Sequence, residues 1–396
     1  MKSLSKKHLS IEESKTLAIN AQANALKASG VKVINFSSGE PDFKTPKFIR
    51  DAAIRFIEQG HIRYTSSAGI QPLKEAICAK LKNDNNLDYD PANIIVSVGA
   101  KHALYNVFQV LLNPGDEVII PSPYWTSYPA MVELAGGIPV SIDTTADGFI
   151  LNPQALEKRI TAKTKAIILN SPNNPTGVVY PQATIEALAQ VAVKHDLYVV
   201  SDEIYEKLIY RGKHLSIASL NEAIKKRTIT INGLSKSHAM TGWRIGYLAA
   251  EKPIVKAMVN LQSHSTSNIT TITQYAALAA LTGTEDDVET MRRAFDERRQ
   301  TVLKRIHDIP FITTREPEGA FYVMIDVRGL YGKKYQGTYL ESATDVARLF
   351  LEHAHVAMVP GIAFGCDDYL RMSYATSEDE IKEGLHRIET LLHALA

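Results

Sequence analysis

Between residues 93 and 250, short runs rich in valine and isoleucine alternate with longer helical patterns. The runs predicted as strands are Ile94–Val98, Val118–Ile120, Ala166–Leu169, Leu197–Ser201, Thr228–Ile231 and Ile245–Ala249. Helical periodicity occurs between several of them, as in Lys101–Leu112 and Ile185–His195. Apolar strands separated by helices are typical of parallel strands that are buried on both faces. This alternation predicts a three-layer α/β domain around a mostly parallel sheet.

The remainder of the chain has a different pattern. A long charged helix is predicted over Glu285–Ile306, and short strands follow at Gly319–Val327, His355–Val359 and Leu370–Tyr374, before a C-terminal helix. Because single cores stop growing near about 250–300 residues, a chain of 396 residues favours two domains. We expect a large domain over residues 47–285 and a smaller α+β domain over residues 286–396, which residues 1–46 join.

The overall charge is close to zero, at +1, and nothing in it suggests a nucleic-acid or membrane partner. The first ten residues are charged and lack the apolar core of a secretory signal. No uncharged apolar stretch is long enough to span a bilayer. Cys78 and Cys366 form neither a disulfide framework nor a metal-ligand cluster. We therefore expect a cytoplasmic protein with reduced thiols and no bound metal.

A lysine, Lys236, lies in the loop that follows the predicted strand Thr228–Ile231, with Ser235 before it and Arg244 beyond it. A lysine that is partly desolvated loses its proton more readily and becomes a nucleophile. An arginine nearby can bind an anion. The pair suits a Schiff-base lysine and a phosphate-bearing aldehyde cofactor, and an ordinary surface lysine is the alternative.

Two further loops follow predicted strands. Gly99, Ala100 and Lys101 open a helix, where free backbone amides and the helix dipole favour phosphate, although a plain strand–helix turn has the same pattern. Asn173 and Asn174 lie in a loop with two prolines and a glycine. That loop is either a simple turn or a source of side-chain donors at the sheet edge.

Three more candidates each have a structural alternative. Asp202 follows a strand and could keep a cofactor pyridine nitrogen protonated, with Tyr205 on the same face of the next turn. Alternatively Asp202 or Glu203 caps that turn. Trp125 could stack on a planar ring or belong to the core. Arg371 lies inside an apolar run, so we expect a carboxylate partner, either internal or a substrate.

In this order along the chain, the motifs resemble those of fold-type I, pyridoxal-phosphate-dependent class I aminotransferases of the aspartate aminotransferase family. The matching segments span nearly the whole chain: Ser38-Gly-Glu-Pro-Asp-Phe43, Asn173-Asn-Pro-Thr-Gly177, Ser201-Asp-Glu-Ile-Tyr205, Leu370-Arg-Met-Ser-Tyr374, and the motif Ser-Lys-x-x-x-Met-x-Gly-Trp-Arg-x-Gly from Ser235 to Gly246. The last motif is highly specific. The resemblance implies the fold-type I architecture, a large three-layer α/β domain with a smaller α+β domain.

The resemblance also implies the cofactor, pyridoxal 5′-phosphate, and the residues around its ring. Lys236 would be the catalytic residue, first as the Schiff-base partner and then as the proton carrier. Asp202 would pair with the pyridine nitrogen, and Tyr205 and Asn174 would bind the phenolic oxygen. Trp125 would stack on the ring.

By the same resemblance, the phosphate and the substrate each have a set of ligands. The implied phosphate ligands are Arg244, Ser235 and the backbone of Gly99, Ala100 and Lys101. The implied ligands of the substrate α-carboxylate are Arg371, Gly39, Trp125 and Asn174. Tyr64 matches a tyrosine that reaches the phosphate of the neighbouring subunit, which implies a homodimer with isologous contacts.

Two departures from the family pattern concern the phosphate and the substrate. Gly233 stands where some members have a serine, so the hydroxyl contact would come from Ser235 or be absent. The segment Leu261–Asn268 contains no arginine to bind a substrate side-chain carboxylate. Lys101 is our candidate for that role, and a lysine should discriminate less sharply than a bidentate arginine.

We therefore expect an aspartate aminotransferase. Such an enzyme reversibly transfers an amino group from L-aspartate to 2-oxoglutarate by a ping-pong mechanism and yields oxaloacetate and L-glutamate, here with some leakage toward aromatic or small neutral amino acids. Other transaminase specificities (aromatic, alanine or kynurenine) and a β-lyase remain alternatives on the same scaffold. A ligand-sensing regulator is disfavoured because such proteins usually carry a DNA-binding module, and this sequence has no spare residues and no basic stretch for one. A Rossmann dehydrogenase is disfavoured because no Gly-x-Gly-x-x-Gly follows an early strand.

Overall fold

The computed structural model describes Ser3 and residues 15–395. The first ten residues, on which the expectation about a secretory signal depends, therefore lie outside the described residues except for Ser3. Within residues 15–395, no helix combines the length and the apolar character needed to cross a membrane.

Helices and strands alternate through most of the described chain. The strands are β1 Ile34–Asn35, β2 Ile94–Ser97, β3 Glu117–Ser122, β4 Ile138–Asp143, β5 Thr164–Asn170, β6 Tyr198–Asp202, β7 Thr228–Gly233, β8 Gly246–Ala249, β9 Thr313–Thr314, β10 Tyr322–Asp326, β11 Lys334–Tyr335, β12 Thr338–Tyr339, β13 Val356–Ala357, β14 Val359–Pro360 and β15 Tyr369–Ser373. The helices are α1 Lys15–Ala28, α2 Lys47–Glu58, α3 Gln71–Asn85, α4 Gly99–Leu111, α5 Ser127–Leu134, α6 Pro153–Arg159, α7 Gln182–Lys194, α8 Glu222–Lys225, α9 Lys252–Ser263, α10 Thr271–Thr282, α11 Asp286–Asp308, α12 Ala343–Leu349 and α13 Glu378–His393.

A seven-stranded sheet with the order β2-β8-β7-β6-β5-β3-β4 forms the centre of the molecule. Strands β7, β6, β5, β3 and β4 pair in parallel, so the expectation of a mostly parallel sheet is confirmed. The strand predicted at Ile245–Ala249 as parallel is antiparallel to both of its neighbours, and that prediction was wrong. The segment between β7 and β8 consists of turns. It therefore lacks the crossover helix that usually joins parallel strands.

The edge strand β4 (Ile138–Asp143) was missing from the sequence prediction. Its residues are exposed or half-buried, and Pro139 interrupts the apolar run. Proline is confined largely to edge strands because it cannot donate a ladder hydrogen bond. The strand therefore lacks the continuous apolar signal of its buried neighbours.

Apolar layers cover both faces of this sheet. Along β5 and β6, Ile168 and Val200 pack in a cluster with α4 on one face. Their neighbours Ile167 and Val199 pack in a cluster with α7 on the other. Successive side chains of a strand point to opposite faces, so each apolar run contributes to two cores and produces a three-layer arrangement.

A second, antiparallel sheet has the order β14-β15-β10-β9. Helices α11 and α13 pack against each other beside it. Near the start of the described chain, β1 pairs in parallel with β13, so Ile34 lies opposite Val356. The proposed domain boundaries at residues 46 and 285 stay a prediction.

Candidate functional site

A cavity of about 440 Å³ opens at the carboxyl edge of the seven-stranded sheet. Eleven of the predicted site residues line it: Gly39, Ala100, Lys101, Trp125, Asn174, Asp202, Tyr205, Ser235, Lys236, Arg244 and Arg371. Gly99 lies directly behind this lining, in contact distance of Arg244. Tyr64 is not part of the lining.

The sheet topology explains why residues so far apart in sequence meet here. Parallel strands end at one edge, and ligands bind in the crevice beyond that edge. The loops after β2, β3, β5, β6 and β7 therefore converge on the cavity. Strand β8 is antiparallel, so its first residue, Gly246, lies at the same edge and brings Arg244 into the site. Arg371 comes from β15 of the second sheet.

Lys236 is partly buried, and its Nζ donates a hydrogen bond to the carbonyl oxygen of Gly39 at 2.6 Å. Burial lowers the pKa of the amine to about 8; Arg371 and Arg244 also lower it, while Glu40 and Asp202 act in the opposite direction. A lysine with this pKa has a substantial neutral fraction near physiological pH. It can therefore act as a nucleophile or as a proton carrier.

Asp202 is 4% exposed at the end of β6. The hydroxyl of Tyr128 donates to its Oδ2 at 2.8 Å, and the backbone N–H of Ile204 donates to its Oδ1 at 3.2 Å. Burial raises the pKa of Asp202 to about 6, against the effect of these two hydrogen bonds. A cationic partner in the cavity would keep the carboxyl ionised.

Tyr205 and Asn174 belong to the buried part of the cavity lining, which we call the floor. The hydroxyls of Tyr205 and Tyr322 are 3.0 Å apart. The side-chain oxygen of Asn174 accepts a hydrogen bond from Arg371 at 3.1 Å. This leaves the amide nitrogen of Asn174 as a donor at the cavity wall.

Arg371 is 2% exposed, and no carboxylate of the described residues pairs with it. Its Nη2 donates to the carbonyl oxygen of Ser37 at 2.8 Å, and its Nε is buried without a hydrogen-bond partner. The guanidinium carbon lies 4.6 Å from the ring centroid of Tyr322. A buried guanidinium with unused donors beside a cavity is suited to binding a carboxylate in two-point contact.

The backbone at the start of α4 forms a cradle with Arg244. Gly99 has a φ of 80°, and a Cβ there would lie 2.8 Å from Nη2 of Arg244. A Cβ on Gly246 would collide with the backbone of Gly99 and Ala100. Arg244 itself has a φ of 55°, which is uncommon for a residue with a side chain. Free amides at the start of a thirteen-residue helix beside a guanidinium favour a phosphate.

Lys101 and Trp125 lie at the mouth of the cavity. The amine of Lys101 is 4.9 Å from the ring centroid of Trp125. Partial desolvation lowers the pKa of Lys101, and the charge of Arg244 adds to the effect. No carboxylate pairs with Lys101 among residues 15–395. Its charge is therefore available to an anion that enters the cavity.

Tyr64 is 92% exposed in a segment without regular secondary structure. It lies outside the cavity of its own chain. Its side chain is therefore accessible to a second molecule.

Sequence reasoning missed three residues that support the site. Tyr128 is hydrogen-bonded to Asp202, and Tyr322 is hydrogen-bonded to Tyr205. The side chain of Asn170 donates a hydrogen bond to the backbone carbonyl oxygen of Asp202 at 2.9 Å. Tyr128 follows Trp125 by three residues, so helical spacing could have suggested it. Tyr322 comes from the second sheet, and no pattern in the sequence around it indicates a place in the site.

Comparisons with known proteins cover nearly the whole chain. The family model for aminotransferases of class I and II matches residues 31–388. The aspartate aminotransferase of Bacillus sp. strain YM-2 is 50% identical over 378 residues, which cover 95% of each chain. The aspartate aminotransferase of Geobacillus stearothermophilus is 49% identical over 395 residues, which cover 99% of this chain and 100% of the relative.

Solved structures agree with the sequence comparisons. The aspartate aminotransferase of Rhizobium meliloti superposes with a TM-score of 0.97 at 41% identity, covering 100% of both chains. The Thermus thermophilus aspartate aminotransferase with maleate superposes with a TM-score of 0.94 at 43% identity, covering 99% of this chain and 100% of that one. Family model, relatives and fold all agree, and the chain belongs to the class I and II aminotransferases.

Proposed function

We propose that this protein is an aspartate aminotransferase that uses pyridoxal 5′-phosphate and passes an amino group from L-aspartate to 2-oxoglutarate. One observation carries the proposal. A lysine of lowered pKa, Lys236, shares a cavity with Arg371, a buried guanidinium that has no carboxylate partner among the described residues. An amine and a carboxylate-binding arginine are the two groups that amino-acid chemistry on an aldehyde cofactor needs.

The hydrogen-bonding and charged groups of the cavity fit the cofactor. The cradle of Gly99, Ala100 and Arg244 would hold the phosphate, with the Ser235 hydroxyl beside it. Asp202 would bind the protonated ring nitrogen. When bound, the cofactor supplies an electron sink for the bonds of the substrate α-carbon. The remaining ring contacts would come from the Trp125 face and from the donors of Tyr205 and Asn174.

The residues of the chain would then have separate roles in the reaction. Arg371 binds the α-carboxylate and orients the substrate so that one bond of the α-carbon lies perpendicular to the ring. The neutral Nζ of Lys236 takes the α-proton and later returns a proton, since its pKa of about 8 suits both directions. Tyr128 holds the Asp202 carboxylate in place and favours its ionised form.

Lys101 supports a dicarboxylate substrate. Its unpaired charge at the cavity mouth could bind the side-chain carboxylate of aspartate or glutamate. The first three relatives are named aspartate aminotransferases, and one solved neighbour carries maleate, a dicarboxylate. A family member from Thermus thermophilus is named aspartate/prephenate aminotransferase, so some breadth toward larger substrates is compatible with these contacts.

The proposal includes a homodimer in the cytoplasm. The exposed Tyr64 would reach the phosphate of the neighbouring site, so each cavity would be completed by Tyr64 of the partner subunit. The unpaired Cys78 and Cys366 are compatible with a reducing compartment. Each subunit would consist of a large domain over residues 47–285 and a small domain over residues 286–396 that residues 1–46 join.

A half-reaction screen tests the proposed activity. Each amino acid is mixed with the cofactor-loaded protein in the absence of an oxo acid, and the loss of the visible cofactor band is followed. Aspartate and glutamate should convert the band fastest, and 2-oxoglutarate should restore it. Release of pyruvate and ammonia from cystathionine without any acceptor would instead establish a β-lyase.

A further inference from the structure

The turn after β6 has two sides with different surroundings. Asp202 and Tyr205 face the cavity. Glu203 and Glu206, which follow each of them in sequence, face away from it into the protein, with 1% and 6% of their side chains exposed. Burying two carboxylates costs several kcal/mol unless each is paired and hydrogen-bonded. Their partners therefore determine how this turn is held.

Glu203 is surrounded by donors. Its Oε1 accepts hydrogen bonds from the hydroxyls of Ser201 at 2.9 Å and Ser216 at 2.7 Å. Its Oε2 lies 2.9 Å from Nε2 of His214 and 3.4 Å from the amide nitrogen of Asn85. Four contacts of this kind stabilise an ionised carboxylate. His214 must donate its Nε2–H to this oxygen.

Glu206 pairs with a lysine from α3. Its Oε1 forms an ion pair with Lys80, and its Oε2 accepts from Asn85 at 2.6 Å. Burial would raise the pKa of Glu206, but the charges of Lys80 and His214 dominate and lower it to about 2. The ligand atoms of Glu203, Glu206 and His214 lie within 4.8 Å of one another, a spacing that a metal could use. Lys80 already supplies a cation there.

The charge balance of this group depends on His214. Two carboxylates and one ammonium leave one negative charge, which an imidazolium would cancel. Burial would lower the pKa of His214, but Glu203 and Glu206 outweigh that effect and raise it. The imidazole is only 10% exposed, so solvent screens this interaction weakly.

The other charged groups nearby lie toward the rim and carry one net negative charge. Lys207 lies 2.9 Å from Asp84 and 2.6 Å from Glu285, and Asp84 is also 3.7 Å from Lys80. Burial and the charges of Lys207 and Lys80 lower the pKa of His238 to about 4. Burial raises the pKa of the tyrosines that adjoin the group, so they stay neutral: Tyr89 and Tyr247.

We propose that His214 is a positioning residue whose imidazolium neutralises Glu203 and thereby sets the electrostatic potential at Asp202 and Lys236. This inference rests on the proposed function, because Asp202 matters here as the partner of the cofactor ring nitrogen. The charge of Glu203 raises the pKa of Asp202. A protonated His214 offsets that charge and lets Asp202 stay ionised beside a second buried carboxylate.

A charge-neutral variant tests the inference through the cofactor spectrum. His214→Gln keeps a donor for Glu203 and removes the positive charge. The potential at the cavity becomes more negative, which favours the protonated chromophore. The pH midpoint of the visible band should therefore rise by about half a pH unit or more. The double variant Glu203→Gln/His214→Gln removes both charges and should return the midpoint toward that of the unmodified protein.

The matched control is His195→Gln, since His195 is 29% exposed, lies 3.1 Å from Glu157 and precedes the start of β6, whereas Asp202 is at the other end of that strand. It should leave the midpoint unchanged. A double variant shifted as far as the single variant, or farther in the same direction, would show a merely structural role. An unchanged midpoint in His214→Gln would overturn the inference while leaving the proposed function intact.

A second measurement needs neither a substitution nor the cofactor. The imidazole signals of His214 in the unmodified, cofactor-free protein are titrated by NMR. A midpoint above the ordinary histidine value supports the charged state, and a midpoint at or below that value overturns the inference even if His214→Gln fails to fold. Absence of any visible band from the unmodified protein with pyridoxal 5′-phosphate would instead overturn the proposed function and, with it, this inference.

Discussion

The floor and the mouth of the cavity are built differently. On the floor, Arg371 and Asp202 are 2% and 4% exposed, and each has at least two hydrogen bonds. At the mouth, Lys101 has no ion-pair partner among the described residues, and outside the cavity Tyr64 is 92% exposed. Rigid, buried groups suit a step that every substrate shares. Exposed groups with unused charge suit the selection of one substrate and the contact with a second subunit.

The largest effect is expected on the floor, from Lys236→Ala. The variant loses the nucleophile and the proton carrier, so turnover should fall by about 10⁴-fold or more for every amino acid. Single-turnover kinetics and the visible spectrum measure this. Lys252→Ala, which removes a surface lysine paired with Asp90, is the matched control and should retain full activity. A lysine-bound visible band in Lys236→Ala would refute the assignment.

Arg371→Lys tests whether the floor of the cavity binds the α-carboxylate, the group that all amino-acid substrates share. Lysine keeps the charge but loses the two-point contact, so kcat/KM should fall about 10²- to 10³-fold for aspartate and alanine alike. Arg293→Lys, at an exposed helical ion pair with Glu289, provides the control. A loss confined to dicarboxylates would move Arg371 from the common step to substrate selection and break the contrast between floor and mouth.

Lys101→Gln tests whether the mouth of the cavity distinguishes aspartate from alanine. Loss of a charged hydrogen bond to the side-chain carboxylate should reduce kcat/KM for aspartate about 10- to 100-fold. The value for alanine should stay within about threefold, because alanine has no second carboxylate. Steady-state kinetics with both amino acids measure the ratio. Equal losses for the two would assign Lys101 to the phosphate or to folding.

The lowered pKa of Lys236 predicts how cofactor capture depends on pH. Only the neutral amine attacks an aldehyde, so the capture rate should rise about tenfold per pH unit below the pKa and level off above about 8. Stopped-flow mixing of cofactor-free protein with pyridoxal 5′-phosphate measures the profile. A rate still rising steeply at pH 10 would mean that Lys236 is solvated like an ordinary surface lysine.

The smallest effect is expected from Tyr64→Phe. If the hydroxyl of Tyr64 donates one hydrogen bond to a phosphate across a dimer, its loss costs about 1 kcal/mol and weakens cofactor affinity about fivefold. Tyr339→Phe, at another exposed tyrosine, should have no effect. Sedimentation shows whether the protein is a dimer. A monomer with unchanged cofactor affinity would remove Tyr64 from the site.

Residues at strand ends were predictable because a local pattern determines their place. Apolar runs mark the strands, and parallel strands end at one edge, so Asp202, Asn174 and Lys236 could be brought together from sequence. Contacts between distant segments could not. Tyr322 meets Tyr205 from 117 residues away, and no periodicity signals that pairing.

The sequence did not reveal the buried charged cluster of Glu203, Glu206, His214 and Lys80, for a related reason. Lys80 appears in sequence as one more charged residue of an amphipathic helix, a pattern that normally places the charge in solvent. Its partner Glu206 is 126 residues away. Likewise, the direction of β8 depends on the short connection that precedes it, whereas the apolar run itself is the same for either direction.

The reversed direction of β8 has a consequence for how the site tolerates change. Gly233 and Gly246 are paired neighbours on adjacent strands, so the residues between them form a closed hairpin loop whose two ends are pinned together. That one loop carries both Lys236 and Arg244. The covalent attachment point and the phosphate anchor are therefore spaced by a fixed length of chain. Inserting or deleting even one residue within 234–245 would misalign both together, so natural length variation should be absent there while the surface loops of the same sheet accept it.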